Sequence, residues 1–259
     1  MGAVFWPVLL CLALSSCGTV SNPSLEHELA ISVPADTLAL AGVRFDQMRN
    51  QNVSQFVPAN WLSALKPFRN ASVVWAAYNG KDLLLLAAGN FSKAPSGTVL
   101  VTPHLALAGS ETATRAAAAQ YATGRIAAQV LLSKAAPVMD KPLWAVARGD
   151  TPIPITGNLG NLNRMLRYTE YATATFSAKS GDSKSAGSID FTAYCASAEP
   201  ARQLEESLRA IVTLASAVTH SADRKGLLES ILINREMSTV RVQLPVSRLL
   251  LEQLPGEKY

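Results

Sequence analysis

Two apolar runs, Ser72 to Tyr78 and Leu83 to Gly89, flank Asn79-Gly80-Lys81-Asp82. No other feature restricts the fold of this chain so tightly. Asn-Gly readily takes the positive φ angles of a tight turn, so the two runs are expected to pair as neighbouring antiparallel strands. Leu83-Leu84-Leu85-Leu86 lacks polar alternation, which predicts a strand covered on both faces. Around this hairpin the pattern predicts a strand over Thr37–Val43, a helical stretch from Asp46 to Leu65, a strand over Val99–Ala108, and an Ala-rich helix capped by Ser110 and running to Tyr121.

The order then recurs. A strand over Leu143–Ala147 and a short helix near Leu159–Tyr168 precede two alternating strands, Tyr171–Ala178 and Ile189–Cys195, joined by the Ser- and Gly-rich segment 180–188. On the second strand Ile189, Phe191, Ala193 and Cys195 share one face. Ser197 is placed to cap a helix over Ala198–Val218, where Ala201, Leu204, Leu208, Ile211, Val212, Ala215 and Val218 form one stripe. Arg202, Glu205, Glu206 and Arg209 face outward as two i,i+4 pairs. Val240, Val242 and Leu244 mark a last strand before a short Leu-rich terminal helix. The halves are offset by roughly 90 to 105 residues, the signature of a tandem repeat. The expected fold is α+β: a largely antiparallel sheet with helices packed on one side, in two similar halves, 33–136 and 137–259. Prolines between Pro137 and Pro154 mark the boundary, because they interrupt helices and donate nothing to a ladder.

The first charged side chain is Glu26, and Ala3 to Leu14 form an almost unbroken apolar run. The run is shorter than the roughly 20 residues that span a bilayer and fits a signal-peptide core. Leu14-Ser15-Ser16-Cys17-Gly18 resembles the bacterial lipobox, in which the cysteine is diacylated and becomes the new N-terminus. The resemblance implies a signal peptide over 1–16, a lipidated tether over 17–32 and a membrane anchor at Cys17. Met1-Gly2 departs from the pattern, since such signals open with Lys or Arg. Gly18 after the cysteine implies the periplasmic face of the outer membrane.

The chain has 23 basic and 19 acidic residues, a net charge of +4, and only 16% charged residues in all. Without a basic stripe or interleaved aromatics, nucleic acid is excluded as a partner. Of three cysteines, Cys11 leaves with the signal and Cys17 takes lipid, so Cys195 stands alone, read as a small buried hydrophobe.

Candidate chemistry is sparse. His27, His104 and His220 lie far apart, and Glu26-His27-Glu28, the one local cluster of metal-ligand types, falls in the tether and reads as solvated charge. Ser63-Ala64-Leu65-Lys66 has the Ser-x-x-Lys spacing that puts a lysine one helical turn from a nucleophile. The chain's Ser and Lys content supplies about one such match by chance, and companion elements are absent. No cofactor or metal site is expected. Trp61, Trp75 and Trp144 are core aromatics in the first reading and the lining of an apolar cleft in the second.

Together, the lipobox, Val33-Pro34-Ala35-Asp36-Thr37-Leu38-Ala39-Leu40-Ala41-Gly42-Val43, the Asn-Gly-Lys-Asp hairpin, Leu105-Ala106-Leu107-Ala108-Gly109-Ser110 before a helix, and a late Ala-x-x-Leu helix resemble a family of bacterial envelope lipoproteins from soil bacteria. The family has no activity to transfer, so the resemblance implies class and location only. The resulting expectation is a non-enzymatic envelope lipoprotein acting as a scaffold or binding an envelope protein. A carrier of a lipid or other apolar ligand ranks second, and a serine hydrolase using Ser63 and Lys66 a distant third.

Overall fold

The computed structural model describes residues 23–50, 66–68, 70–152, 167–178 and 187–246. The strands are β1 (Ala39–Arg44), β2 (Ala71–Tyr78), β3 (Leu83–Gly89), β4 (Val99–Thr102), β5 (Leu105–Ala108), β6 (Leu143–Arg148), β7 (Tyr171–Ala178), β8 (Gly187–Tyr194), β9 (Leu232–Glu236) and β10 (Thr239–Val246). They form one antiparallel sheet in the order β4-β5-β3-β2-β1-β6-β7-β8-β10-β9. The helices are α1 (Pro23–Ser32), α2 (Phe45–Asn50), α3 (Glu111–Ala122), α4 (Gln129–Ala135), α5 (Ala198–Val218) and α6 (Ala222–Glu229), with a 3-10 turn at Lys66–Phe68. The α+β class and the antiparallel sheet are as expected.

The strand order reads the same outward from the β1–β6 seam in both directions. β2, β3, β5 and β4 follow β1 on one side; β7, β8, β10 and β9 follow β6 on the other. Leu40 pairs with Val146 and Gly42 with Trp144 across the seam, so the ladder runs unbroken past the Pro-rich stretch.

Cross-strand register assigns the faces. Leu40, Gly42, Trp75, Ala77, Leu84, Leu86, Leu107, Trp144 and Val146 are linked by pairing and share one face, which α1, α3 and α4 cover. The same chain of partners continues into Thr173, Thr192 and Arg241. Ala193 and Val240 therefore point to the opposite face, where α5 packs through Ala201 and Leu204. Phe45 of α2 also packs on that second face, beside Phe68 and Val74. The expectation of helices on one side is corrected: α1, α3 and α4 cover one face, α2 and α5 the other. The cause is the second half's alternation, which puts Phe176, Phe191, Ala193, Val240 and Val246 toward the α5 face and Thr, Asp, Gln and Arg toward the α1 face. Beyond β7, only one side of that half needs cover.

Three further corrections follow. Residues 23–32 are a core helix, with Leu29 and Ile31 buried and Val33 buried just beyond, so the tether reading fails there. Val99–Ala108 is two strands rather than one, because the chain turns at Pro103-His104 and folds back as β4 and β5. Leu83 is exposed, and cover of the Leu-rich strand begins at Leu84. Ser110 caps α3 by accepting from the Ala113 N–H at 3.2 Å. Ser197 occupies the same position before α5 without a side-chain cap bond. No helix among the described residues is long and apolar enough to cross a membrane.

Candidate functional site

Pairing brings together residues that are far apart in sequence. Arg148 at the end of β6 lies opposite Tyr171 at the start of β7, and Tyr171 lies opposite Tyr194 at the end of β8. All three project on the α1 face at the sheet end where β1 begins, called the lower end below. There α4 crosses above them, with Leu131 and Ala135 buried against the sheet and Val130 and Lys134 turned outward. Between helix and strand ends lies an open cleft of about 430 Å³, lined by Thr37, Val130, Lys134, Arg148, Glu170 and Tyr171 among others. Its size matches a small ligand or a few residues of a partner chain.

Backbone bonds fix the cleft's floor. The Arg148 N–H donates to Leu38 O at 3.0 Å, the Gly149 N–H to Glu170 O at 3.0 Å, and the Glu170 N–H to Tyr194 O at 2.8 Å. Thr37, buried, closes its own turn by donating from its hydroxyl to Pro34 O at 2.8 Å. The Tyr171 ring stacks on Tyr194 with centroids 4.3 Å apart and 15° between planes. The Lys134 ammonium stands 4.5 Å from the centroid of the Tyr171 ring, a cation–π contact.

The charges differ in how far they are committed. Arg148 is held by both oxygens of Asp150, at 3.1 Å from Nε and 2.8 Å from Nη2. Lys134 and Glu170 have no ion pair among the described residues and face the cleft as one cation and one anion. Burial pushes the Tyr171 hydroxyl above its ordinary pKa, and Tyr194 and the Glu170 carboxylate add to the rise. Cys195 is raised by burial and then by Glu170, which holds it as an inert thiol.

The sequence-derived candidates fare differently. Cys17, Trp61 and Ser63 lie outside the described residues, as does the side chain of Lys66. Trp75 and Trp144 do not line the cleft: they meet edge to face at 5.6 Å inside the core. Glu26-His27-Glu28 is no solvated cluster. Glu26 pairs with the buried Arg44, Glu28 accepts from the Thr102 hydroxyl at 3.2 Å, and His27 points to solvent. His104 is engaged by Gly89 O at 3.1 Å. No group of three or more metal-ligating side chains gathers among the described residues. Reasoning from sequence missed Lys134, Arg148, Glu170 and Tyr171, because only the β6–β7 register makes them neighbours.

No family model matches the chain, and no curated protein matches it in sequence. Among solved structures it is similar to TP0453 in its crystal form I, with a TM-score of 0.42 and 8% identity over 86% of this chain and 94% of that one. A likeness of that size transfers nothing to this chain.

Proposed function

We propose that the chain is a non-enzymatic envelope lipoprotein, held by lipid on Cys17 at the periplasmic face of the outer membrane, that binds an envelope partner through the cleft between α4 and the β6–β7 end of the sheet. The observation that carries this reading is the cleft's composition. Lys134 and Glu170, a cation and an anion without an ion pair among the described residues, flank an aromatic surface and the exposed Val130 on a hydrogen-bonded floor. Such a mixture of fixed polar groups and apolar wall suits recognition. Its openness favours part of a partner over a sequestered lipid, which would call for an enclosed apolar cavity.

Replacing Val130 by a photo-crosslinking residue in cells tests the reading. One dominant adduct that disappears with Lys134→Glu or Glu170→Lys is expected. A stoichiometric lipid co-purifying with the chain in place of an adduct would favour the carrier, and labelling by serine-directed reagents that Ser63→Ala abolishes would favour a hydrolase. The anchor is tested separately: the chain incorporates labelled fatty acid and Cys17→Ser does not.

A further inference from the structure

Helix α5 is longer than the edge strand it packs beside. Its 21 residues rise about 31 Å, while the five residues of the edge strand β9 span about 16 Å. Glu205 pairs with Arg235 at 2.8 Å, and Arg209 donates to the carbonyl of Ile233, one residue from the start of β9. Beyond Arg209 the helix passes the start of β9 toward the upper end of the sheet, the end at which β1 finishes, and Val212 is its last apolar residue packed on the core of this half. From Ala210 to Thr219 no residue is charged. In this overhang Ile211, Leu214 and Val218 are 45%, 66% and 71% exposed, and Leu232 at the adjoining strand start is 55% exposed.

The same end carries the start of the folded chain. Glu26 pairs with Arg44, the last residue of β1, so Pro23 begins α1 at the upper end and the helix descends from there. Five residues lie between Cys17 and Pro23, so the two are at most about 20 Å apart at full extension. A lipid on Cys17 therefore holds the upper end within that distance of a bilayer, at a high effective concentration. α1 and α5 lie roughly 30 Å apart across the strands, on opposite faces.

We propose that the α5 overhang is a second membrane contact: Ile211, Leu214, Val218 and Leu232 enter the interfacial layer of the bilayer that carries the Cys17 lipid. The choice of a bilayer as occupant rests on the anchor of the proposed function. Uncharged apolar side chains along one end of an amphipathic helix are the chemistry of an interfacial element. Both contacts lie at the upper ends of their strands, and the cleft lies at the lower end of β6 and β7.

The experiment attaches an environment-sensitive fluorophore to Leu214→Cys in the lipidated chain, with Met237→Cys, 81% exposed in the turn between β9 and β10 at the lower end, as its counterpart. Vesicles are phosphatidylethanolamine and phosphatidylglycerol. Emission from position 214 is expected to shift to the blue on adding vesicles and to be quenched by brominated acyl chains, with neither change at 237. In the Cys17→Ser background, Leu214→Asp is expected to weaken vesicle binding by about tenfold, the effect of withdrawing one large apolar side chain. Leu214 is exposed, so both variants should melt like the parent. A fatty-acid-bearing, vesicle-bound protein with no shift at 214 overturns the proposal. So does a 214 probe already shielded without vesicles, whether by a second copy, where shielding grows with protein concentration, or by residues 247–259 of the same chain, where it does not. Failure of the anchor reading looks different: Cys17 takes no fatty acid, while the shift of the probe at 214 and the weakened vesicle binding of Leu214→Asp persist and uphold the membrane contact.

Discussion

Arg44 shows how a single buried charge organises this fold. Its side chain is 6% exposed and its counter-ion Glu26 33%, with the Met139 carbonyl 3.5 Å from the guanidinium and Nε without a partner among the described residues. Removing the carboxylate strands a buried cation, whereas replacing the cation by an apolar chain leaves a carboxylate that water can reach. Glu26→Gln is therefore expected to cost about 3 kcal/mol and Arg44→Met clearly less; urea denaturation of both variants checks the order. A loss below about 0.5 kcal/mol for Glu26→Gln would reduce the pair to an ordinary surface contact. Gly42 makes the complementary point about volume. A Cβ there would fall within the Trp144 ring, itself fixed edge to face against Trp75. Gly42→Ala is expected to cost about 3 kcal/mol, the upper part of the overpacking range. Most of that loss should vanish when the change is made in a Trp144→Ala background.

Along α5, the contribution of each apolar residue falls with distance from the sheet. Leu204 is buried against Ala193 and Val240, so Leu204→Ala is expected to cost about 2–5 kcal/mol. Leu214→Ala should stay within about 0.5 kcal/mol. Equal losses at the two positions would mean that the overhang is packed. Glu205 ties the helix to β9 through Arg235 and to the next turn through Arg209, and those bonds hold its carboxyl below the usual range. With the folded-state value lowered, its contribution is fully present above the unfolded value of about 4.3 and is lost as pH falls. Glu205→Gln should therefore flatten the decline in stability between pH 7 and the acid range. The bounds of α5 were legible because its stripe, its ion pairs and its length all keep the helical period. α1 was hidden by its position after a polar stretch, although Leu25, Leu29 and Val33 keep i,i+4 spacing. β9 buries only Ile233 and so shows no alternation. The cleft was illegible for another reason: Lys134, Arg148 and Tyr171 carry no local pattern, and only sheet register joins them.

At the scale of the molecule, the issue is whether the two halves are one cooperative body. Their link is the β1–β6 ladder, and its Trp144 belongs to the same core as Leu40, Trp75 and Leu86. The second half has a smaller core of its own, Cys195, Ala201, Leu204, Ile233 and Val240, beneath α5. These cores carry separate reporters. With Trp6 and Trp61 replaced by Phe, the fluorescence of Trp75 and Trp144 senses the first, and the reactivity of the buried Cys195 thiol senses the second. Splitting the sheet at the seam would expose the edges of β1 and β6 along their full length, a cost that couples the halves. In the Cys17→Ser,Cys11→Ser chain, the fluorescence and thiol-reactivity transitions in urea are therefore expected to coincide in midpoint and slope, as two-state unfolding requires. Thiol exposure at clearly lower urea than the fluorescence change would show the five strands after the seam opening by themselves. In that event the halves are two domains sharing a sheet edge, and Gly42→Ala, which strains the seam, should widen the gap between the midpoints.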